Sequence, residues 1–182
     1  MTTTPPPSQP RLVDVLALPP TPLIERYSRG IDRIERRLLD LTDAQMDTFF
    51  RPEAGVGRWS CRVLVGHLAD AEIVFVHRFR RTVAEERPIL AAWDENAFLD
   101  AMLYGSDGPG PKPPAAGSVA VIHTTRLWCA DWLRTLDDKA FDARALHPEQ
   151  GELSVHTMLA RCTWHLEHHA WYLSRKLERL LP

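Results

Sequence analysis

A chain of 182 residues that is 45% apolar and 25% charged is long enough to bury one sizeable core and has the balance of a soluble globular domain. Its formal charge of −2 offers no basic field for phosphates, so no nucleic-acid partner is expected. No apolar run approaches the roughly 18 residues of a membrane span, and the first ten residues lack a basic region followed by an apolar one, so a cytoplasmic location away from the membrane is expected.

Residues 1–20 are expected to form a mobile Pro-rich tail, since Thr2 to Pro10 hold four prolines among Thr, Ser and Gln and bury too little surface to offset ordering. Residues 21–182 are expected to be one domain. Thr21 reads as an N-cap and Pro22 as a first helical residue, and Leu23, Ile24, Tyr27, Ile31, Ile34 and Leu38 recur at helical spacing, predicting a first helix that ends near Leu41. A turn of helix over Asp43 to Phe50 precedes the breakers Pro52, Gly55 and Gly57. Ser60 caps a second long helix running to about Glu86, with Leu64, His67, Leu68, Ala71, Phe75, Arg78 and Phe79 on one stripe.

Pro88 stops that helix. A short helix follows over Asp94 to Leu103, and the glycines and prolines of Gly105 to Gly117 make a loop. A third helix is expected over Ser118 to Leu136, and a fourth from a Ser154 cap to about Leu181. No alternating β-branched run stands between turn residues, so strands are not expected. Four long amphipathic helices predict an all-α fold, an antiparallel four-helix bundle whose ligand sites are built from facing helices. Cys61, Cys129 and Cys162 are odd in number and widely spaced, as befits reduced thiols, two or more of them acting as small buried hydrophobes.

The fourth helix carries Trp164-His165-Leu166-Glu167-His168-His169. At about 100° per residue, His165 and His169 lie roughly 40° apart, one turn above the other and both bordering the apolar stripe, so the pair can grip one metal ion. His168 points about 100° away and is a bystander. A zinc or nickel site needs at least a third protein ligand, and His67 is the best candidate, on the flank of its own stripe with the small Ala71 one turn on. His123 is a weaker choice, and His77, His147 and His156 fall on a polar face, in a loop and at a helix start. Each histidine taken singly is as well explained by packing or solvent, but three at core edges would be costly unless satisfied. The glutamate of a metalloprotease HExxH motif is replaced by Leu166, and Glu167 faces away from the pair.

Arg58-Trp59-Ser60 with His67-Leu68-Ala69-Asp70-Ala71-Glu72, followed by the HxxxH at His165 and His169 with its double histidine, resembles the DinB/YfiT-like family of metal-dependent enzymes, over roughly Leu23 to Leu181. The resemblance implies a four-helix bundle with its own crossover topology, commonly a homodimer, and one nickel or zinc ion on His67, His165 and His169. It also implies thiol S-transferase chemistry with a low-molecular-weight thiol, thiol-dependent isomerisation, or hydrolysis, acting on a small-molecule substrate.

Three imidazoles leave an ion with an open position, the arrangement of a catalytic site. The bound ion would activate a thiol or a water; the competing expectation is a non-catalytic metal-binding dimeric module. Asp70 is a candidate for orienting an imidazole or taking a proton, Arg126 for anchoring an anionic substrate, and Tyr172 for donating into the pocket. Their bland alternatives are a surface carboxylate, an apolar stem under a solvated head, and core packing. Cys162 reads best as an inert buried thiol. Because ligation needs neutral imidazoles, metal affinity is expected to fall below about pH 6.5.

Overall fold

In the computed structural model, which describes residues 8–105 and 112–181, four helices pack as a bundle: α2 (Pro20–Ser28), α4 (Cys61–Ala84), α6 (Ala115–Leu133) and α7 (Val155–Leu180). Three shorter helices, α1 (Leu12–Leu16), α3 (Asp43–Met46) and α5 (Glu95–Asp100), lie on the connections. The two longest helices begin where side-chain caps predict. Ser60 Oγ accepts from the Val63 amide at 3.3 Å, and Ser154 Oγ from the Thr157 amide at 3.1 Å, each satisfying a donor the helix itself cannot. At α3, Thr42 and Gln45 form a reciprocal capping box. No helix among the described residues is long and apolar enough to cross a membrane.

Four expectations change. The first helix does not run to Leu41: after Ser28 the chain tightens into 3₁₀ turns over Arg29–Arg33 and Arg36–Asp40. At this break Arg126 Nη1, from 99 residues downstream, donates to the Tyr27 carbonyl at 2.8 Å. Gly30 permits this approach, because a Cβ there would overlap the guanidinium. The third helix starts at Ala115 and stops at Leu133, displaced by one turn toward the N-terminus; Pro114 precedes it and needs no amide partner. Of the Gly105 to Gly117 loop, 106–111 lie outside the described residues.

The tail is not unstructured throughout. Residues 1–7 lie outside the described residues, but α1 packs on α7 with Val15 buried, and the Leu18 carbonyl accepts from His156 Nε2 at 2.8 Å. Trp164 Nε1 also donates to the Pro10 carbonyl at 3.0 Å. The apolar residues Leu12, Val15 and Leu16 supply the burial that the proline run lacks. Finally, a small antiparallel hairpin joins α6 to α7, with β1 (Arg144–His147) pairing β2 (Gly151–Ser154) from Arg144 opposite Ser154 to His147 opposite Gly151. Leu146 extends it by exchanging backbone bonds with Pro88 and Leu90, tying the α4–α5 connection to this end of the bundle.

The core falls into two apolar clusters. One is built around Leu23, Phe79, Leu133 and Leu159, the other around Leu64, Leu68, Ile122, Leu166 and Leu173. Between them lies a fully buried ion pair, Glu72 with Arg126, at 2.5 Å. Arg126 also donates to the Cys162 carbonyl at 3.0 Å and stacks over the Tyr27 ring at 4.5 Å, while the Tyr27 hydroxyl donates to Glu72 at 3.1 Å. Burial pushes the Glu72 carboxyl up, and the guanidinium beside it holds it down.

Because an uncompensated buried charge is among the costliest core defects, Glu72→Gln should destabilise the fold by about 3 kcal/mol. A urea titration should show this as a lower midpoint with an unchanged slope. A loss below about 0.5 kcal/mol, the range of ordinary surface changes, would mean that the pair is not holding the bundle.

Candidate metal centre

One turn and a half before Glu72, α4 presents His67 inward, and α7, running antiparallel to it, presents His165 and His169 on the same face. One ligand atom from each of the three lies within 4.8 Å of the others. His67 Nε2 and His165 Nε2 are 3.0 Å apart. Ring centroids are separated by 5.0, 5.2 and 4.6 Å, with the rings turned 65 to 88° from one another, so they meet edge-on instead of stacking.

Three aromatic side chains wall this cluster. Trp93 stacks on His67 at 5.3 Å, Trp59 lies 5.0 Å from His67 and stacks on His169 at 6.1 Å, and Phe75 lies 6.4 Å from His165. Burial in this setting depresses the proton affinity of all three imidazoles. His67 is lowered by burial although Glu95 and Asp70 pull it up, His165 is held well below its ordinary value by burial and its neighbouring imidazoles, and His169 is pushed down to about 3, mainly by burial.

These properties fit a divalent cation. Two neutral imidazoles with Nε2 atoms at 3.0 Å can share at most one proton, and nitrogens each about 2 Å from a tetrahedral ion stand about 3.3 Å apart. Nδ1 of His67 and Nδ1 of His169 are buried without hydrogen-bond partners among the described residues, so no other described side chain competes for these rings. The cluster holds no fourth protein ligand among the described residues, since His123 is exposed elsewhere on α6.

Other candidates divide. His168 is turned aside, its Nδ1 accepting from Gln9 at 3.2 Å, and Glu167 is buried in a two-bond pair with Arg26, both as the helical wheel requires. Asp70 does not orient an imidazole; its carboxylate accepts from the Tyr104 hydroxyl at 2.7 Å, although its charge is felt at His67. Arg126 is neither a substrate anchor nor a solvated head, being wholly buried in the Glu72 pair. Cys162 is the inert thiol expected, pushed well up by burial and lying 3.6 Å from Glu72. Tyr172 does face a pocket, a cavity of about 320 Å³ beside His169 that Trp59, Arg58 and Lys176 also line.

Sequence reasoning passed over Trp59, Trp93, Glu95 and Lys176. The signal available for two of them is position: both tryptophans immediately precede a capping residue, Ser60 and Asp94.

The profile of the DinB superfamily matches residues 6–173. A protein of Oceanobacillus iheyensis is 26% identical over 161 residues, 86% of this chain and 87% of its own, and YfiT of Bacillus subtilis is 30% identical over 141 residues, 77% of this chain and 74% of its own. Both are provisionally named metal-dependent hydrolases. The solved YfiT structure, described as an unusual four-helix bundle, matches 88% of this chain and 86% of its own with a TM-score of 0.75 at 24% identity.

The depressed imidazoles move the expected pH limit. Inside the folded protein they stay neutral below 6.5, down to about 3 for His169, so protons compete with a metal only at lower pH than the free side chain suggests. The unfolded chain still takes up protons below about 6.5, so stability is unaffected above that value and falls as pH drops beneath it, by as much as about 1.4 kcal/mol per pH unit for each histidine. Metal-free protein should therefore lose thermal stability between about pH 6.5 and 5, above the carboxylate range, and His169→Leu should lose less. A melting temperature flat across that interval would contradict the buried neutral cluster.

Proposed function

The chain belongs to the DinB superfamily, and on that premise we propose that it is a metal-dependent hydrolase of small molecules whose divalent ion is held by His67, His165 and His169. The observation that carries this reading is the convergence of three neutral imidazoles, His67 buried and His165 and His169 half-buried, from two facing helices beside an open cavity. A site with three protein ligands suits catalysis, because substrate and nucleophile can occupy the remaining positions. Such an ion supplies Lewis acidity and lowers the pKa of a nucleophile that joins it. Nickel and zinc both suit an all-imidazole donor set.

The chain's own residues do the rest. His67 from α4 and the His165–His169 pair from α7 fix the donors on two rigid elements. Trp59, Trp93 and Phe75 exclude water from the sides of the cluster they cover, which strengthens every charge interaction inside. The indole Nε1 of Trp93 is buried without a hydrogen-bond partner among the described residues. Asp70 and Glu95 place negative charge on the His67 side, favouring a cation there.

The nucleophile comes from outside the chain. Cys61, Cys129 and Cys162 are all buried, and burial raises all three thiols, to about 11 for Cys61 and about 12 for Cys129. Water serves in the hydrolase reading. The same observation supports the second reading, in which a low-molecular-weight thiol takes the water's place and attacks an electrophile.

Purified protein should carry about one nickel or zinc ion per chain, and His169→Ala should weaken retention beyond the roughly 10–100-fold that loss of an outer-shell partner costs. Metal-loaded protein should hydrolyse members of an ester and amide panel, and His169→Ala should not. Turnover that appears only when a thiol is added would select the second reading. No turnover with either nucleophile, whichever metal is loaded, would leave a non-catalytic metal-binding module.

A further inference from the structure

Beyond the metal ligands, α7 continues the same face with Tyr172 and then Lys176, three and seven residues past His169, and all three side chains line one cavity. Seven residues of helix span about 10 Å, so the backbone of Lys176 stands about two turns from that of His169. Lys176 is fully buried. Its Nζ donates to the Gly57 carbonyl at 2.8 Å and sits 4.6 Å from the Phe50 ring centroid, yet no carboxylate pairs with it among the described residues. Arg58, exposed at the rim of the same cavity, likewise has no ion pair among the described residues. The other buried arginines among the described residues are paired: Arg126 has Glu72, and Arg62 has Asp43 and Asp47.

A buried ammonium facing only a carbonyl and a ring is expensive, and its cost is offset when an anion arrives. Burial accordingly lowers the Lys176 amine to about 8, which leaves it mostly charged at neutral pH. The wall between the two ends is apolar, formed by the Trp59 indole and Val56.

We propose that this cavity is the substrate's anion subsite, in which Lys176, aided by Arg58 at the rim, receives a carboxylate or phosphate at the end of the ligand away from the histidines, while Trp59 covers the apolar body between. The substrate class is an elongated, amphipathic monoanion. The assignment rests on the hydrolase reading only for which end of the ligand reacts; the anion pocket is separable from it.

The test compares two probes on metal-loaded protein by ligand-observed NMR titration: 4-phenylbutane-1-sulfonate, whose anion is a poor metal ligand, and the neutral 4-phenylbutan-1-ol. Wild-type protein should bind the sulfonate about tenfold more tightly, as a charge-assisted hydrogen bond in a sheltered site provides. Lys176→Met should bring the two within about twofold, Lys176→Arg should keep the preference, and metal content should be unchanged in both. If the methionine variant fails to fold by circular dichroism, Lys176→Gln, which keeps a donor for the Gly57 carbonyl, takes its place. Equal binding of the two probes by wild type, or a preference that survives loss of the amine, overturns the proposal. A sulfonate preference that disappears with the amine in a protein showing no turnover upholds the pocket and removes the hydrolase reading.

Discussion

Four helices that are far apart in sequence meet at one guanidinium. Arg126 from α6 binds Glu72 on α4, the Tyr27 carbonyl on α2 and the Cys162 carbonyl on α7, and Gly30 has given up its side chain to make room. Buried ion pairs of this kind contribute little net stability compared with apolar side chains of equal size, because desolvation consumes much of the attraction. What this one supplies is register. A helix may slide by a turn against a neighbour at modest cost when both faces are aliphatic, but not when sliding would strand a buried charge.

That register is what brings the three histidines together. Glu72 lies five residues beyond His67, a rise of about 7.5 Å, and Cys162 lies three residues before His165, about 4.5 Å, on helices running in opposite directions. Fixing Glu72 and Cys162 to the same guanidinium therefore brings His67 level with the His165–His169 turn. The clamp also acts electrostatically: the charge of Arg126 is felt at His165 and, after burial and the neighbouring imidazoles, helps keep it unprotonated. A polar layer that divides the apolar core in two thus doubles as the alignment device for the ligands beside it.

The same dependence explains what could be read from the chain alone. The starts of α4 and α7 were legible because Ser60 and Ser154 act within three residues of themselves, and the His165–His169 pair because its geometry is internal to one helix. His67 was legible as a residue type on the edge of a stripe. Arg126 was misread because its meaning lies in Glu72, 54 residues away, and in a backbone carbonyl, which leaves no trace in sequence. The break in the first helix is hidden because Tyr27, Ile31, Ile34 and Leu38 keep helical spacing, while the 3₁₀ turns over Arg29–Arg33 and Arg36–Asp40 leave no mark in that period. The hairpin escaped because its strands are four residues each, with Ala145, His147 and Leu153 as their only buried positions, too short for a period to show.

The clustered histidines and the aromatic walls around them are therefore governed by different local rules. His67, His165 and His169 sit in mid-helix, where the backbone ladder and the clamp allow little movement. Trp59 and Trp93 each stand one residue before an N-cap, Ser60 and Asp94, in backbone that is extended immediately before it turns helical. A cap bond worth about 1 kcal/mol anchors each entry, which is enough to aim an indole but cheap to re-engineer by changing the connection that precedes it. A change in the connection ahead of either cap would therefore re-aim an indole while leaving the three histidines where the helices and the clamp hold them.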